Sequence, residues 1–191
     1  GTIPFSILAR HGFIAKTLLI SLVKRGILNK NEIGKIFGSI KTVASDLVSD
    51  MRSLQEKKIN KSSFMIKYGH LRPGTYDILS PCYSQMEDFY NTDYKNQHQQ
   101  KTEKYELKES QKKSINKLLK EEGFGKIDYE FFMEYIEKAT AGREYGKFIF
   151  TRTISNILEI IAKFGQDHFL TRSELSHIPI NDYLFINNNS L

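Results

Sequence analysis

The stretch "DYEFFMEYIEKATAGREYGKFIFTRTISNILEIIAKF", Asp128 to Phe164, decides the fold. Phe131, Phe132, Tyr135 and Ile136 recur at three- and four-residue steps in its first part. Phe148, Ile154, Ile157, Leu158 and Ile161 continue the pattern. That spacing puts the apolar side chains on one face of a helix, and a strand would need alternation at every second residue. Asp128 stands where a capping side chain belongs, and a bend is expected at Gly142. A helix this long leaves the rest of the chain to pack along it.

The flanking segments repeat the same period. From Ile3 to Val23 the predicted inward stripe is Ile7, Leu8, Phe13, Ile14, Leu18, Leu19, Leu22 and Val23, with Gly26 as the stop. Asn29 or Asn31 caps a short helix in "NKNEIGKIFGSI". A longer one follows with Ile40, Val43, Leu47, Met51 and Leu54 on its buried stripe. "NKSSFMIKYG" starts at Asn60 and ends near Gly69, and helix resumes from Lys108 to Glu122. Thr171 and Glu174 have capping-box spacing, which opens a terminal short helix. The expectation is an all-α fold: an irregular multi-helix domain over residues 1–191, with one long C-terminal helix and a Pro/Gly-rich site loop. Residues 91–106, in "YNTDYKNQHQQKTEKYE", read as a flexible polar excursion because aliphatics and periodicity are both lacking.

Composition narrows the class. The chain has 191 residues, enough for one moderate domain with a real core. No apolar run is expected to reach the roughly 20 residues that span a bilayer. The opening "GTIPFSILARHGF" has neither the layout of a signal peptide nor an initiator Met, so the expectation is a domain cut from a longer cytoplasmic protein. Cys82 is the only cysteine, which excludes an internal disulfide and leaves no zinc-ligand spacing. The net charge is +6, which favours phosphate-bearing ligands or nucleic acid through its field. Much of the charge lies in "KTEKYELKESQKKSINKLLKEEG", where the sign alternates as on a solvated helix face. A basic nucleic-acid-binding helical domain is therefore the least favoured class, and no such motif is present.

Two stretches carry chemistry. In "KYGHLRPGTYDILSP", Lys67 to Pro81, Pro73 fixes its own φ and pushes Arg72 out of the helical region. A turn centred on Pro73 and Gly74 is expected to hold His70, Arg72, Tyr76 and Asp77 on stiff irregular backbone. Arg72 is a fork for phosphate or carboxylate, and Asp77 or His70 could accept a proton from an attacking hydroxyl. The competing reading is a structural turn in which Asp77 caps amides, Arg72 pairs with Asp77 and His70 is merely satisfied. In "TAGREYGKFIFTR", Arg143, Lys147 and Thr151 fall on one helix face. Glu144 lies off that face, so the cation pair is expected to look for an anion. Its own competitor is a solvated basic edge. Arg10 and His11, inside the apolar first helix, suggest a buried hydrogen-bonded pair. No nucleotide-binding glycine motif and no nucleophile elbow occur.

"YGHLRPGTYDILSP" resembles the Tyr-Gly-His/Met-x-x-x-Gly-x-x-Asp-Ile/Leu-x-x-Pro segment in the middle domain of phosphoenolpyruvate-synthase-like, PEP-utilising phosphotransferases, a group that includes rifampicin phosphotransferase. "AGREYGKFIFTRTISNILE" is similar to the Arg-Glu-x-x-Lys helix of the same domain. "FLTRSELSHIPINDYL" resembles the stretch that closes it. The resemblance implies a central acceptor-binding domain that receives a phosphoryl group from a swivelling phosphohistidine domain. That domain is in turn charged by an ATP-grasp domain of the same chain. It implies that ATP and Mg belong to the full-length enzyme, with no cofactor or metal in this domain and no activity from it alone. Its partner is a small-molecule phosphoryl acceptor, with neither membrane nor nucleic acid involved. Arg143 and Lys147 match the family's paired cations and Asp77 its acidic position. Arg72 would add charge, with Tyr76, Tyr83 and Phe148 as walls. Leu71 and Thr75 stand where rifampicin-type enzymes carry Arg and Glu, so rifampicin is not the expected acceptor. The alternative is a non-catalytic structural or docking module between catalytic domains.

Overall fold

A computed structural model describes residues 2–86 and 105–185. Among them every regular element is helical: α1 (Thr2–Lys24), α2 (Lys30–Ser39), α3 (Val43–Gln55), α4 (Lys61–Tyr68), α5 (Glu109–Glu121), α6 (Tyr129–Asp167), α7 (Arg172–Ser176) and α8 (Ile180–Phe185), with a 3-10 turn at Tyr83–Gln85. The fold is all-α, with one long helix towards the C-terminus. Residues 91–104 of the expected polar excursion lie outside the described residues. Its last two residues are described, and there the half-buried Tyr105 donates its hydroxyl to Glu32 at 2.8 Å.

Local chemistry explains the helix ends. Asn29 accepts from the Glu32 amide while Glu32 reaches back to the Asn29 amide, and Thr171 with Glu174 makes the same reciprocal pair. Asn60 caps α4 through the Ser63 amide, and Asp128 accepts from the Phe131 amide at the head of α6. Gly26, at φ 70°, ends α1 in the left-handed region that suits glycine. α6 runs three residues beyond the expected Phe164, and it continues as one element through Gly142. α8 and the 3-10 turn carry no periodic signal that sequence reading could have used.

By its internal contacts the chain divides into two compact units: Gly1–Ser49 with Asp93–Phe148, and Asp50–Thr92 with Ile149–Leu191. In the first unit Leu19, Leu22, Ile36, Ile115 and Ile136 form the centre of an aliphatic core. Each such side chain removed from water contributes about 2 kcal/mol. Gly12 lets α6 come close to α1, since a Cβ there would lie 2.9 Å from Arg143 Cβ. The outer face of α1 departs from the expected stripe, for Ile7, Phe13 and Ile14 are 53%, 59% and 41% exposed. By length and composition alone α1 is long and apolar enough to cross a membrane, contrary to the sequence expectation, and its inner residues Ala15 and Leu19 are fully buried.

The second unit has a smaller apolar cluster of Ile78, Ile161 and Leu175, and buries Met51, Phe64 and Tyr68. Phe131 of the first unit and Ile157 of the second, both expected inside, are 56% and 43% exposed. A stripe wider than one contact surface leaves its margins in water.

Candidate functional site

The Lys67–Pro81 turn belongs to the second unit. Its hydrogen-bonded bend runs from the Gly74 carbonyl to the Asp77 amide at 3.1 Å. Thr75 and Tyr76 therefore stand at its centre, rather than Pro73 and Gly74. Gly74 is dictated by space: a Cβ would approach Asp77 Cβ to 2.9 Å and Ser80 Cβ to 3.1 Å. Its amide donates to Ser80 Oγ at 3.0 Å.

Arg72 organises this backbone from inside. Its side chain is 1% exposed. Nη1 donates to the Ser80 carbonyl at 3.0 Å and to the Asp77 carbonyl at 3.4 Å. Nη2 donates to Ser155 Oγ at 2.8 Å and Glu159 Oε1 at 2.9 Å, and Nε also reaches Ser155 Oγ. A guanidinium has five N–H donors in a fixed fork, so these acceptors leave little to offer a ligand. The expectation that Arg72 binds phosphate gives way to the structural-turn reading, in which it is ion-paired. Its partner is Glu159, not Asp77.

Glu159 collects more than Arg72. Its second oxygen accepts from Arg172 Nη2 at 2.8 Å and from Gln85 Nε2, and Arg172 Nη1 donates to the Ile78 carbonyl at 2.9 Å. Burial raises the Glu159 pKa, but the bonds from Arg172, Arg72 and Gln85 outweigh it and hold the carboxyl below its ordinary range. Sequence reading missed Glu159, Ser155 and Gln85. A signal existed: Glu159 is the only carboxylate between Glu144 and Asp167, set in the apolar run "ISNILEII". A carboxylate there must find cationic partners to be buried.

The remaining turn residues are placed as follows. Asp77 is exposed, and its Oδ1 accepts from the Leu79 amide at 2.9 Å, an amide cap of the kind the structural reading expected. Tyr76 is 66% exposed and so walls nothing off, while His70 and Tyr83 are half-buried. Beside the turn, Asp50 accepts from Lys67 Nζ and from the Tyr68 hydroxyl, each at 2.8 Å. Burial pushes the Tyr68 phenol up to about 12, so it stays a neutral donor. Arg152 Nη2 donates to the Lys67 carbonyl at 3.1 Å.

Arg143 and Lys147 belong to the first unit. Arg143 packs on Gly12, sits 5.2 Å over the Phe13 ring and lies 3.5 Å from Glu144 Oε1. The expectation that Glu144 gives Arg143 no local relief is thus corrected, because neighbouring side chains on a helix can still curl together. Lys147 and Tyr145 are exposed, and Phe148 is half-buried. Arg10 and His11 are both exposed; His11 Nδ1 shares a 3.0 Å hydrogen bond with the Tyr135 hydroxyl, in place of the buried His–Arg pair expected. Among the described residues no group of three His, Cys, Asp or Glu could hold a metal ion.

The chain matches no family model, no curated protein and no solved structure. On the turn Asp77 and Tyr76 are exposed, and on α6 Lys147 is exposed beside the part-exposed Arg143.

Proposed function

We propose that this chain is the helical, acceptor-side domain of a cytoplasmic phosphotransferase similar to phosphoenolpyruvate synthase. In this reading a swivelling phosphohistidine domain, charged by an ATP-grasp domain, delivers a phosphoryl group to a small acceptor held here. ATP and Mg act in those other domains. One observation supports the reading above the rest. The three stretches that carry the resemblance meet on one carboxylate: Arg72 from the first and Arg172 from the third both bind Glu159, the last residue of the second.

Phosphoryl transfer asks a protein mainly for positioning and for cations around the moving group. With Arg72 consumed, that charge falls to Arg143 and Lys147. Gly12 packs against the stem of Arg143, and the guanidinium carbon lies 5.2 Å from the Phe13 ring, which restrains the head. Asp77 and His70 are the candidate proton acceptors, and Tyr76 is a candidate contact for the acceptor. In the full-length protein, Arg143→Ala and Lys147→Ala should each slow acceptor phosphorylation by about 100-fold, the usual effect of losing one preorganised donor. Phosphorylation of the swivel histidine should be unchanged. Transfer at the wild-type rate in both variants would overturn these roles.

A second reading draws on the saturation of Arg72: a non-catalytic docking module, whose polar cluster serves only to stiffen a surface loop. It expects both cation variants to transfer normally. It also expects Tyr76→Ala to weaken association with the catalytic domains without altering the chemical step.

A further inference from the structure

The first unit contains a cavity of about 450 Å³ between α2, the Tyr105–Leu107 segment, α5 and the head of α6. That volume is within the usual range for small-molecule sites, roughly 300–1,000 Å³. Its floor is aliphatic, with Ile36 3% exposed, Ile40 8% and Ile136 0%. Tyr105 and Tyr129, both half-buried, add aromatic surface.

The rim has the opposite character. Glu106, Glu130, Glu134 and Glu137 line it against a single cation, Lys112. Four carboxylates against one ammonium give a net −3, on a chain whose total is +6. Lys112 is already held by Glu109 at 2.5 Å, and Glu134 shares Lys138 at 2.5 Å. Among the described residues Glu106, Glu130 and Glu137 have no ion pair. Glu130 and Glu134 are four residues apart on α6, a like-charge spacing that destabilises a helix unless a cation or water intervenes. The half-open volume and its apolar floor make the site, and the exposed carboxylates at its mouth choose the sign of what enters.

We propose that this cavity binds an amphipathic organic cation, an amine or guanidinium joined to an apolar body. The body lies on Ile36, Ile40 and Ile136. The cationic head sits among Glu106, Glu130 and Glu137; the Tyr129 ring already faces Lys112 Nζ at 5.4 Å, and its hydroxyl donates to Glu130 at 2.9 Å. The site stands apart from the phosphoryl-transfer reading and uses none of its residues.

The test uses dansylcadaverine, whose amine is cationic, against dansylglycine, which has the same fluorophore on a carboxylate. The chain has no Trp, so dansyl emission is read against a quiet background. Dansylcadaverine should bind saturably with a blue shift, at least about tenfold more tightly than dansylglycine. Glu130→Gln, Glu134→Gln and Glu137→Gln together should weaken dansylcadaverine by about tenfold or more and narrow the gap between the probes. These residues are exposed, so the variant keeps its core. Ser39→Phe, placed on the cavity wall, should block both probes. Equal affinity for the two probes, unchanged dansylcadaverine affinity in the triple Gln variant, or no saturable binding up to about 1 mM would each overturn the proposal. If Ser39→Phe fails to fold, the other two comparisons still decide.

Discussion

In the first unit, Leu19, Ile115 and Ile136 close a core of aliphatic side chains contributed by α1, α5 and α6. In the second, the irregular chain from His70 to Gln85 is fixed point by point. Arg72 holds the Asp77 and Ser80 carbonyls, Arg172 holds the Ile78 carbonyl, and Glu159 holds both arginines and Gln85. The contrast follows from the backbone. A helix satisfies its own amides and carbonyls and needs only an apolar face to be placed. A turn leaves its carbonyls open, and each one buried needs a donor. Dispersed apolar contacts therefore place the helices of the first unit, and in the second a few converging polar contacts fix the turn beside its apolar cluster.

The largest expected effect lies on the apolar side. Leu19 is fully buried, so Leu19→Ala removes its transfer free energy and leaves a cavity. The loss should be about 4 kcal/mol, read from urea unfolding. Amide exchange should rise along α1 and α5 while the His70–Gln85 segment keeps its protection. Equal loosening of both segments would break the distinction between the two units.

Glu159→Ala comes next. It leaves the Arg72 guanidinium, 1% exposed, without its counter-charge. Breaking such a pair costs 3–5 kcal/mol; because Glu159 itself is 30% exposed, the expected loss is about 3 kcal/mol. Exchange should now rise in the turn. Acid should act in the same direction. The folded pKa of Glu159 is depressed, so its stabilisation is complete above the unfolded value of about 4.3 and fades as pH falls towards the lower folded value. Glu159→Gln should flatten that acid limb. An acid limb identical to wild type would show that the carboxylate does not hold the turn through its charge.

The same contrast explains what the sequence could tell. The existence of α1 to α7, the caps at Asn29, Asn60, Asp128 and Thr171, and the stop at Gly26 all depend on residues within a few positions of each other, and all were legible; α8 was not. The outer face of α1 was not, because periodicity reports a stripe and not which margin finds a neighbour. In the turn, the choice between ligand-binding Arg72 and structural Arg72 depended on Ser155 and Glu159, which lie 83 and 87 residues away. No local spacing encodes that meeting. Glu159 was detectable only as a carboxylate misplaced in an apolar run.

Phe169 offers the smallest and sharpest measurement. It follows α6 at φ 59° and is 96% exposed, and the Leu170 amide donates back to the Gly165 carbonyl at 2.7 Å. That is the helix-ending loop in which Gly26 and Gly123 also sit, at φ 70° and 85°. A Cβ in this region costs about 1–2 kcal/mol, and glycine removes the cost but returns about 0.5–1 kcal/mol through freedom of the unfolded chain. With almost no packing to lose, Phe169→Gly should raise stability by about 0.5–1 kcal/mol in urea unfolding. A loss instead would mean that the phenyl ring is buried against something in solution. The exposed aromatic would then mark a contact, and the strained backbone would be retained for it rather than tolerated.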